Sequence, residues 1–442
     1  MRRIVVSMVL VPLSLLALWL ASMPFLGLPF EVFALRKPFL QGTGTLAIGL
    51  MSVALVLATR PMFFEPWLGG LDKMYRLHKW LGVTALVLAV AHGLWVEAPK
   101  WLADLGWLAR PVRTPAELPA NPVLRALHAL RGAAEGVGEW ACYALLLLLG
   151  LALVKRVPYR RFFQLHRLLP LVHGVLVFHS VVLLKDSSWP QPLGVVMALL
   201  MAAGTVAALL VLFGAAGRSR QAVALVETAT RHADLDVLEL AVRLQSRWRG
   251  HAAGQFAFLR FDAHEGAHPF TIVSPWRGDG RLVFLIKGLG DYTRQLPALI
   301  HPGDVLRVEG PYGQFRFEGP RPRQIWVGGG IGITPFIARL QQLALQPDGK
   351  AIDLFHTTTM VDEAAFVRLR RAAGAARVQL HLMVDAVDGR LTAERLCAAV
   401  ADWRRADVWF CGPAGFGQAL RRGLLARGLP ARDFHQELFE MR

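Results

Sequence analysis

The chain has 442 residues, enough for two or three domains, with 54% hydrophobic residues and a formal charge of +17. The apolar excess lies almost wholly before Gly214, and no nucleic-acid motif accompanies the positive charge, so a nucleic-acid role is set aside. The three cysteines, Cys142, Cys397 and Cys411, form no CxxC pair. That excludes a four-thiolate iron–sulfur cluster within this chain and argues against a disulfide framework.

Six stretches are long and apolar enough to cross a lipid bilayer, near 4–23, 43–59, 78–96, 139–154, 166–184 and 191–213. The first follows Arg2 and Arg3, as the core of a signal peptide would. Its length and the absence of a clear small-residue cleavage site mark it instead as a spanning helix. With the amino terminus inside, thirteen Lys and Arg fall in the inside segments and eight outside, five of the eight in the long loop 97–138. The positive-inside rule then places the amino terminus and everything after Gly214 in the cytoplasm, where nicotinamide nucleotides are found. Residues 1–216 are expected to form a membrane α-helical bundle.

Two of these spans carry paired histidines. His78 and His92 lie fourteen residues apart on the third, and His166 and His179 thirteen apart on the fifth. Ionisable side chains at membrane depth are costly and are functional candidates by default. Fourteen residues rise about 21 Å and return to nearly the same helix face, which puts one imidazole towards each leaflet of a core about 30 Å thick. The two spans run in the same direction, so His78 is level with His166 and His92 with His179. Two imidazoles facing each other at each of two depths suit the axial positions of two haem irons. Hydrogen bonding between helices is the competing reading. The thirteen-residue spacing leaves His166 and His179 on different faces of an ideal helix unless Pro170 kinks or rephases it. His173 is therefore a rival ligand. His128, in the outer loop, reads as a surface residue.

From 221 to 320, short β-like runs at Phe256–Phe261, Leu282–Ile286 and Val305–Val308, separated by Gly and Pro turns, predict a small antiparallel β-barrel. From 321 to 442, strands at Ile325–Val327, Ile352–Phe355, Val378–Met383 and Val408–Phe410 alternate with helical patterns, which predicts a doubly wound α/β nucleotide-binding domain. His268-Pro269-Phe270-Thr271 ends a barrel strand. There Thr271 offers a hydroxyl to the edge of an isoalloxazine, and Pro269 and Phe270 supply flat apolar surface. Lys287-Gly288-Leu289-Gly290-Asp291-Tyr292-Thr293 follows a strand and opens a helix, whose free amides suit a pyrophosphate. Gly310-Pro311-Tyr312-Gly313 reads as a tight turn closing the barrel.

Gly328-Gly329-Gly330-Ile331-Gly332-Ile333-Thr334-Pro335 departs from GxGxxG spacing. It nonetheless sits at the first strand-to-helix crossing, where a dinucleotide phosphate belongs. Cys411-Gly412-Pro413 ends a late strand at the carboxyl edge of the same sheet, within reach of a nicotinamide; a small buried apolar residue is the other reading of Cys411. Thr357, Thr358 and Thr359 follow the second strand and are candidates for a 2′-phosphate, with Arg368 and Arg370 further on. The run Phe434-His435-Gln436-Glu437-Leu438-Phe439 offers an aromatic to shield a flavin face.

Together these residues resemble the ferric reductase and NADPH oxidase superfamily, from the third span to the end, with a soluble part similar to ferredoxin–NADP reductase modules. The resemblance assigns the four transmembrane ligands to His78, His92, His166 and His179, preferring His179 to His173. It assigns the flavin motif to His268–Thr271, the nicotinamide motif to Gly328–Pro335, the CGP motif to Cys411–Pro413 and the near-terminal aromatic to Phe439, which three residues follow here. It implies FAD, two b-type haems and NADPH or NADH, with a lean to NADPH. It also implies a one-electron acceptor outside, ferric iron or dioxygen giving superoxide. No EF-hand loop is visible, which argues against calcium control. A bacterial inner membrane is the expected location, and protein partners are unknown. The alternatives are delivery of electrons to a membrane or periplasmic redox partner, or a non-redox membrane protein with a degenerate reductase tail.

Overall fold

The computed structural model describes residues 2–23, 32–109, 120–154, 156–262 and 266–437. Phe439 lies outside the described residues. The chain divides into two compact units, with the change at Ala216–Gly217.

Among the described residues, six apolar spans build the first unit. They are α1 (Arg2–Ala21), α2 (Val32–Ala58), α3 (Leu71–Asp104), α4 (Arg131–Leu153), the pair α5 (Tyr159–His166) and α6 (Leu169–Leu183), and α7 (Pro192–Leu212). A helix satisfies its own backbone groups, which makes it the form a single chain segment can take in lipid. Helix α2 is the centre, packing on α1, α6 and α7, because its inner stretch is rich in small residues. A Cβ on Gly42 would meet the Trp19 ring at 2.7 Å, and one on Gly49 would meet Leu15 at 2.9 Å. Large apolar side chains such as Leu10, Val87, Trp140 and Leu199 point outward, as lipid-facing residues do. Helix α3, with 34 residues, is about 50 Å long. None of its neighbours approaches it as closely as the α2–α7 and α4–α6 pairs approach each other.

The fifth span is two helices. Helix α5 ends at His166, and α6 begins at Leu169 with a proline in its first turn. Pro170 thus starts a new helix instead of kinking a continuous one, its missing N–H being no loss at that position. The break supplies the change of phase that a thirteen-residue spacing requires.

Among the described residues, the second unit holds two sheets. The first contains β1 (Gln221–His232), β2 (Val237–Leu244), β3 (Phe256–Arg260), β4 (His268–Thr271), β5 (Arg281–Lys287) and β6 (Val305–Tyr312), in the antiparallel order β4-β3-β6-β1-β2-β5. The expected closed barrel is corrected to an open sheet. Its edges β4 and β5 meet only at the Ile272–Phe284 bridge, without a ladder. A second correction concerns Gly310-Pro311-Tyr312, which lies within β6 and is not a turn. Pairing to β1 has ended at Glu309 and the β3 register slips between Phe256 and Phe258, and proline is tolerated at such a place. Helix α8 (Asp291–Leu299) follows β5.

The second sheet is parallel, ordered β11-β10-β7-β8-β9. It comprises β7 (Arg323–Gly329), β8 (Ala351–Thr358), β9 (Gln379–Val384), β10 (Ala406–Cys411) and β11 (Phe434–Gln436). The connecting helices are α9 (Thr334–Leu345), α10 (Glu363–Ala375), α11 (Ala393–Ala399) and α12 (Ala414–Ala426). From β7 the chain winds one way to β8 and β9, then returns to the other side of β7 for β10. The switch point therefore lies between β7 and β10, where such sheets bind ligands.

Candidate functional site

In the first unit, the rings of His78 and His166 face each other with centroids 6.0 Å apart, and those of His92 and His179 with centroids 6.4 Å apart. A metal ion midway would lie about 3 Å from each centroid, a spacing that leaves room for metal–imidazole bonds of about 2 Å. The other ring nitrogens are held. His78 Nδ1 donates to the Ala54 carbonyl at 2.8 Å and His179 Nδ1 to the Ala134 carbonyl at 2.8 Å. His92 Nδ1 lies 3.0 Å from Thr43 Oγ1, whose own proton goes to the Phe39 carbonyl at 2.8 Å, so the hydroxyl accepts from the ring. With Nδ1 protonated, Nε2 is left bare as a ligand, the arrangement typical of metal-binding histidines. His166 stacks on Phe162 instead, at 5.2 Å.

Glycines make room for these rings. A Cβ on Gly138 of α4 would run into His179 Nδ1, and one on Gly44 of α2 would lie 3.3 Å from the His92 ring. His173 does not join either pair. It is fully buried, against Gly204 of α7 and Ser52 of α2. Among the described residues no three His, Cys, Asp or Glu side chains converge to hold an ion. Two opposed imidazoles would suit a haem iron, because a porphyrin supplies the iron's remaining nitrogen ligands itself.

In the second unit, Thr271 is buried at the end of β4 opposite Phe256, with Phe270 opposite Ala257 and Pro269 opposite Phe258. His268 stacks on Tyr292 of α8 at 5.0 Å, a contact that ties two separate sequence motifs together and that neither motif signals alone. Lys287 ends β5 opposite Val237. Gly288 is pressed against the Asp236 carboxylate. Gly290 caps α8, and its N–H donates to Thr293 Oγ1 at 3.0 Å. The Thr293 hydroxyl in turn donates to the Gly290 carbonyl at 3.2 Å.

At the switch point β7 ends in Gly328 and Gly329. A 3₁₀ turn, Gly330–Ile333, then leads into α9, with Thr334 and Pro335 in its first turn. Gly330 has φ +55°, a left-handed conformation that glycine adopts freely. Gly328 pairs with Cys411 on one side and His356 on the other. A Cβ on Gly332 would collide with the Cys411 carbonyl, and one on Gly329 would meet Pro413 at 3.0 Å. The glycine run and the CGP run are therefore two walls of one crevice. Burial, with the Glu437 charge behind it, holds the Cys411 thiol well above its ordinary pKa. It stays a neutral thiol and is not a nucleophile.

Burial also lowers the His356 pKa, only partly offset by its hydrogen bond to the Gly328 carbonyl. Alternation along β8 turns Thr357 inward, while His356 and Thr358 line an open groove. Glu437 lies 3.0 Å from where a Gly313 Cβ would be, beside Phe256, the register partner of Thr271.

Two family descriptions match this chain: "Ferric reductase like transmembrane component" over residues 43–178 and "FAD-binding domain" over 222–316. The vanillate O-demethylase oxidoreductase of Pseudomonas putida is 32% identical over 33% of this chain and 45% of its own length. A superoxide-generating NADPH oxidase heavy chain of Dictyostelium discoideum is 25% identical over 56% of this chain and 48% of its own. In its membrane part and its FAD-binding part the chain is similar to the ferric reductase and NADPH oxidase superfamily. A flavohemoprotein of Bordetella pertussis is 31% identical over 32% of this chain and 38% of its own length. The chain spans less than half the length of each of these relatives.

Among the described residues the chain thus joins six helices long and apolar enough to cross a membrane to a part that matches an FAD-binding domain. Its crevice makes one prediction. Gly332→Ala is expected to force apart the β7 and β10 ends, costing about 1–3 kcal/mol and raising KM for NAD(P)H. Gly415→Ala, in helix α12 with a Cβ that would meet nothing within 4 Å, is expected to leave KM unchanged and stability undiminished. Thermal melting and steady-state NAD(P)H oxidation of the two variants check this.

Proposed function

We propose that this protein carries electrons from NAD(P)H, through FAD and two b-type haems, to a one-electron acceptor on the opposite side of the membrane. When bound, the flavin exchanges a two-electron hydride for single electrons and the haems relay those electrons one at a time. The observation that carries this reading is the pair of facing imidazole sets at two depths, on a chain whose other half is an FAD-binding module. His78 and His166 would hold the inner haem, and His92 and His179 the outer one. Thr271 would meet the flavin edge, and Phe270 and Pro269 its apolar rim. The glycines from Gly328 to Gly332, with Gly412, would let the nucleotide backbone approach the crevice, and Cys411 would pack against the nicotinamide as a neutral thiol.

The charge bias of the loops supports a cytoplasmic module. Outward electron flow is then favoured by an inside-negative potential, by about 2.3 kcal/mol per 100 mV for the full crossing. Ferric iron, or dioxygen giving superoxide, is the proposed acceptor class. The test is the dithionite-reduced spectrum of purified protein grown with ample haem supply. Two b-type haems per chain are expected, and flavin without porphyrin would end the proposal. Comparing superoxide-sensitive cytochrome c reduction with ferric-chelate reduction then separates the two acceptors.

A further inference from the structure

The two edge strands of the parallel sheet are fastened by the same device. On one edge, His381 of β9 is the register partner of Phe355 on β8. Its ring stacks on Phe355 with centroids 4.2 Å apart, and its Nε2 donates to Asp353 at 3.2 Å. On the other edge, His435 of β11 is the register partner of Trp409 on β10. It stacks on Trp409 at 4.1 Å and donates from Nε2 to Asp407 at 3.2 Å. Each aspartate lies two residues before the aromatic, on the same face of the inner strand.

The two edges differ in how much they need this. Strand β9 has six residues and β11 three, the short end of what a sheet accommodates. So few ladder bonds leave a low cost of local opening. On the β11 side the fastening is doubled. The other oxygen of Asp407 accepts from the Arg321 amide at 3.2 Å, and the Arg321 guanidinium holds Asp433, just ahead of β11, at 2.6 and 3.0 Å. Asp407 and Asp433 are both buried, so removing a partner leaves a carboxylate oxygen unsatisfied away from water.

What β11 carries gives the fastening a use. The register that sets Gln436 beside Phe410 brings the next residue, Glu437, level with Cys411, whose thiol pKa its charge helps to raise. Glu437 is buried, and its carboxylate is 3.0 Å from where a Gly313 Cβ would be, with Phe256 at the same place. One side chain thus reaches both the end of β10 and Phe256, the register partner of Thr271. His435 and Glu437 lie on one face of the chain, about 6.6 Å apart along it, so a shift of the strand at His435 passes directly to Glu437.

We propose that His435 is a positioning residue for electron transfer from nicotinamide to flavin: held by Asp407 and Trp409, it fixes β11 and so keeps Glu437 beside Cys411 and Phe256. The inference rests on the reading of NAD(P)H and FAD above.

The test uses the full chain in detergent and substitutions that divide the device. His435→Phe keeps the stacked ring and loses the N–H donor, whereas His435→Gln keeps a donor near the place of Nε2 and loses the ring. His435→Phe is expected to slow anaerobic reduction of the flavin by NAD(P)H about 10- to 100-fold, as small misplacements at a reacting centre do, with KM changed less than about twofold. Amide hydrogen exchange across residues 434–437 should quicken about tenfold, the worth of one hydrogen bond. His435→Gln should recover most of both. His381→Phe makes the same change on the opposite edge and should leave the rate of flavin reduction and the exchange at 434–437 unchanged; a purely structural role would make the two phenylalanine variants alike. His435→Asn, whose shorter amide falls short of Asp407, carries the same expectation if His435→Phe does not accumulate. An unchanged rate or unchanged exchange in His435→Phe, or equal slowing in His381→Phe, overturns the assignment while leaving the NAD(P)H reading intact. Flavin that neither nucleotide reduces in the unaltered protein overturns both.

Discussion

Replacing His92 or His179 with alanine is expected to lower haem content from two per chain to one and to stop reduction of the outside acceptor. NAD(P)H oxidation with a soluble dye should continue. Each substitution removes one side of the pair whose rings face each other at 6.4 Å, while the pair at 6.0 Å keeps both of its members. The two losses should be equivalent, because an axial clamp needs both imidazoles. His173→Ala supplies the contrast. Its ring packs between α2 and α7 and faces neither pair, so both haems should be retained although a buried histidine has been lost. Haem-to-protein ratios from pyridine haemochrome spectra, alongside dye-coupled turnover, decide the matter. Full haem content in both His92→Ala and His179→Ala would remove these residues from the assignment.

The membrane half was largely legible in the sequence because lipid imposes a simple rule. About twenty apolar residues make a span, and an ionisable residue within one demands a reason. The matched depths of the histidines followed from helical rise alone. Their facing did not, because the chain break at Arg167 and Leu168 is a local event that a proline signals without specifying. The soluble half is less legible. Strands β1 and β2 carry a weak signal, since alanines fill several inward positions of β1 and five of the eight β2 residues are buried, which blunts any alternation. The Gly-Pro signal at 310–311 reads as a turn because composition cannot distinguish a turn from a strand passing a bulge.

The site in this half was legible as motifs and illegible as an assembly. Gly328–Pro335 and Cys411–Pro413 are each recognisable. That Gly328 and Cys411 are register partners depends on a strand order set by the crossovers. The stacking of His268 on Tyr292 and the bond of His435 to Asp407 likewise join residues far apart in the chain. No local pattern encodes such distances.

A second expected result separates a haem site from a mere crossing of helices. Gly138→Ala should cost the outer haem although every histidine remains. Gly138 sits on α4 where the His179 ring passes, and an added Cβ would overlap Nδ1 and come within 2.8 Å of Cγ. The ring must then rotate or withdraw, which breaks the Nδ1 bond to Ala134 that orients it and turns Nε2 away from His92. Outer-layer ligand contacts of this kind typically change metal affinity about 10–100-fold. Gly136→Ala, two residues away on the same helix, would place its Cβ against nothing within 4 Å. It should retain both haems and gain roughly 0.5–1 kcal/mol of helix stability. Redox titration distinguishes the outcomes: one haem transition in Gly138→Ala and two in Gly136→Ala. If both variants titrate as two haems, the His179 ring does not need the space that Gly138 leaves, and its place as an axial ligand fails on steric grounds.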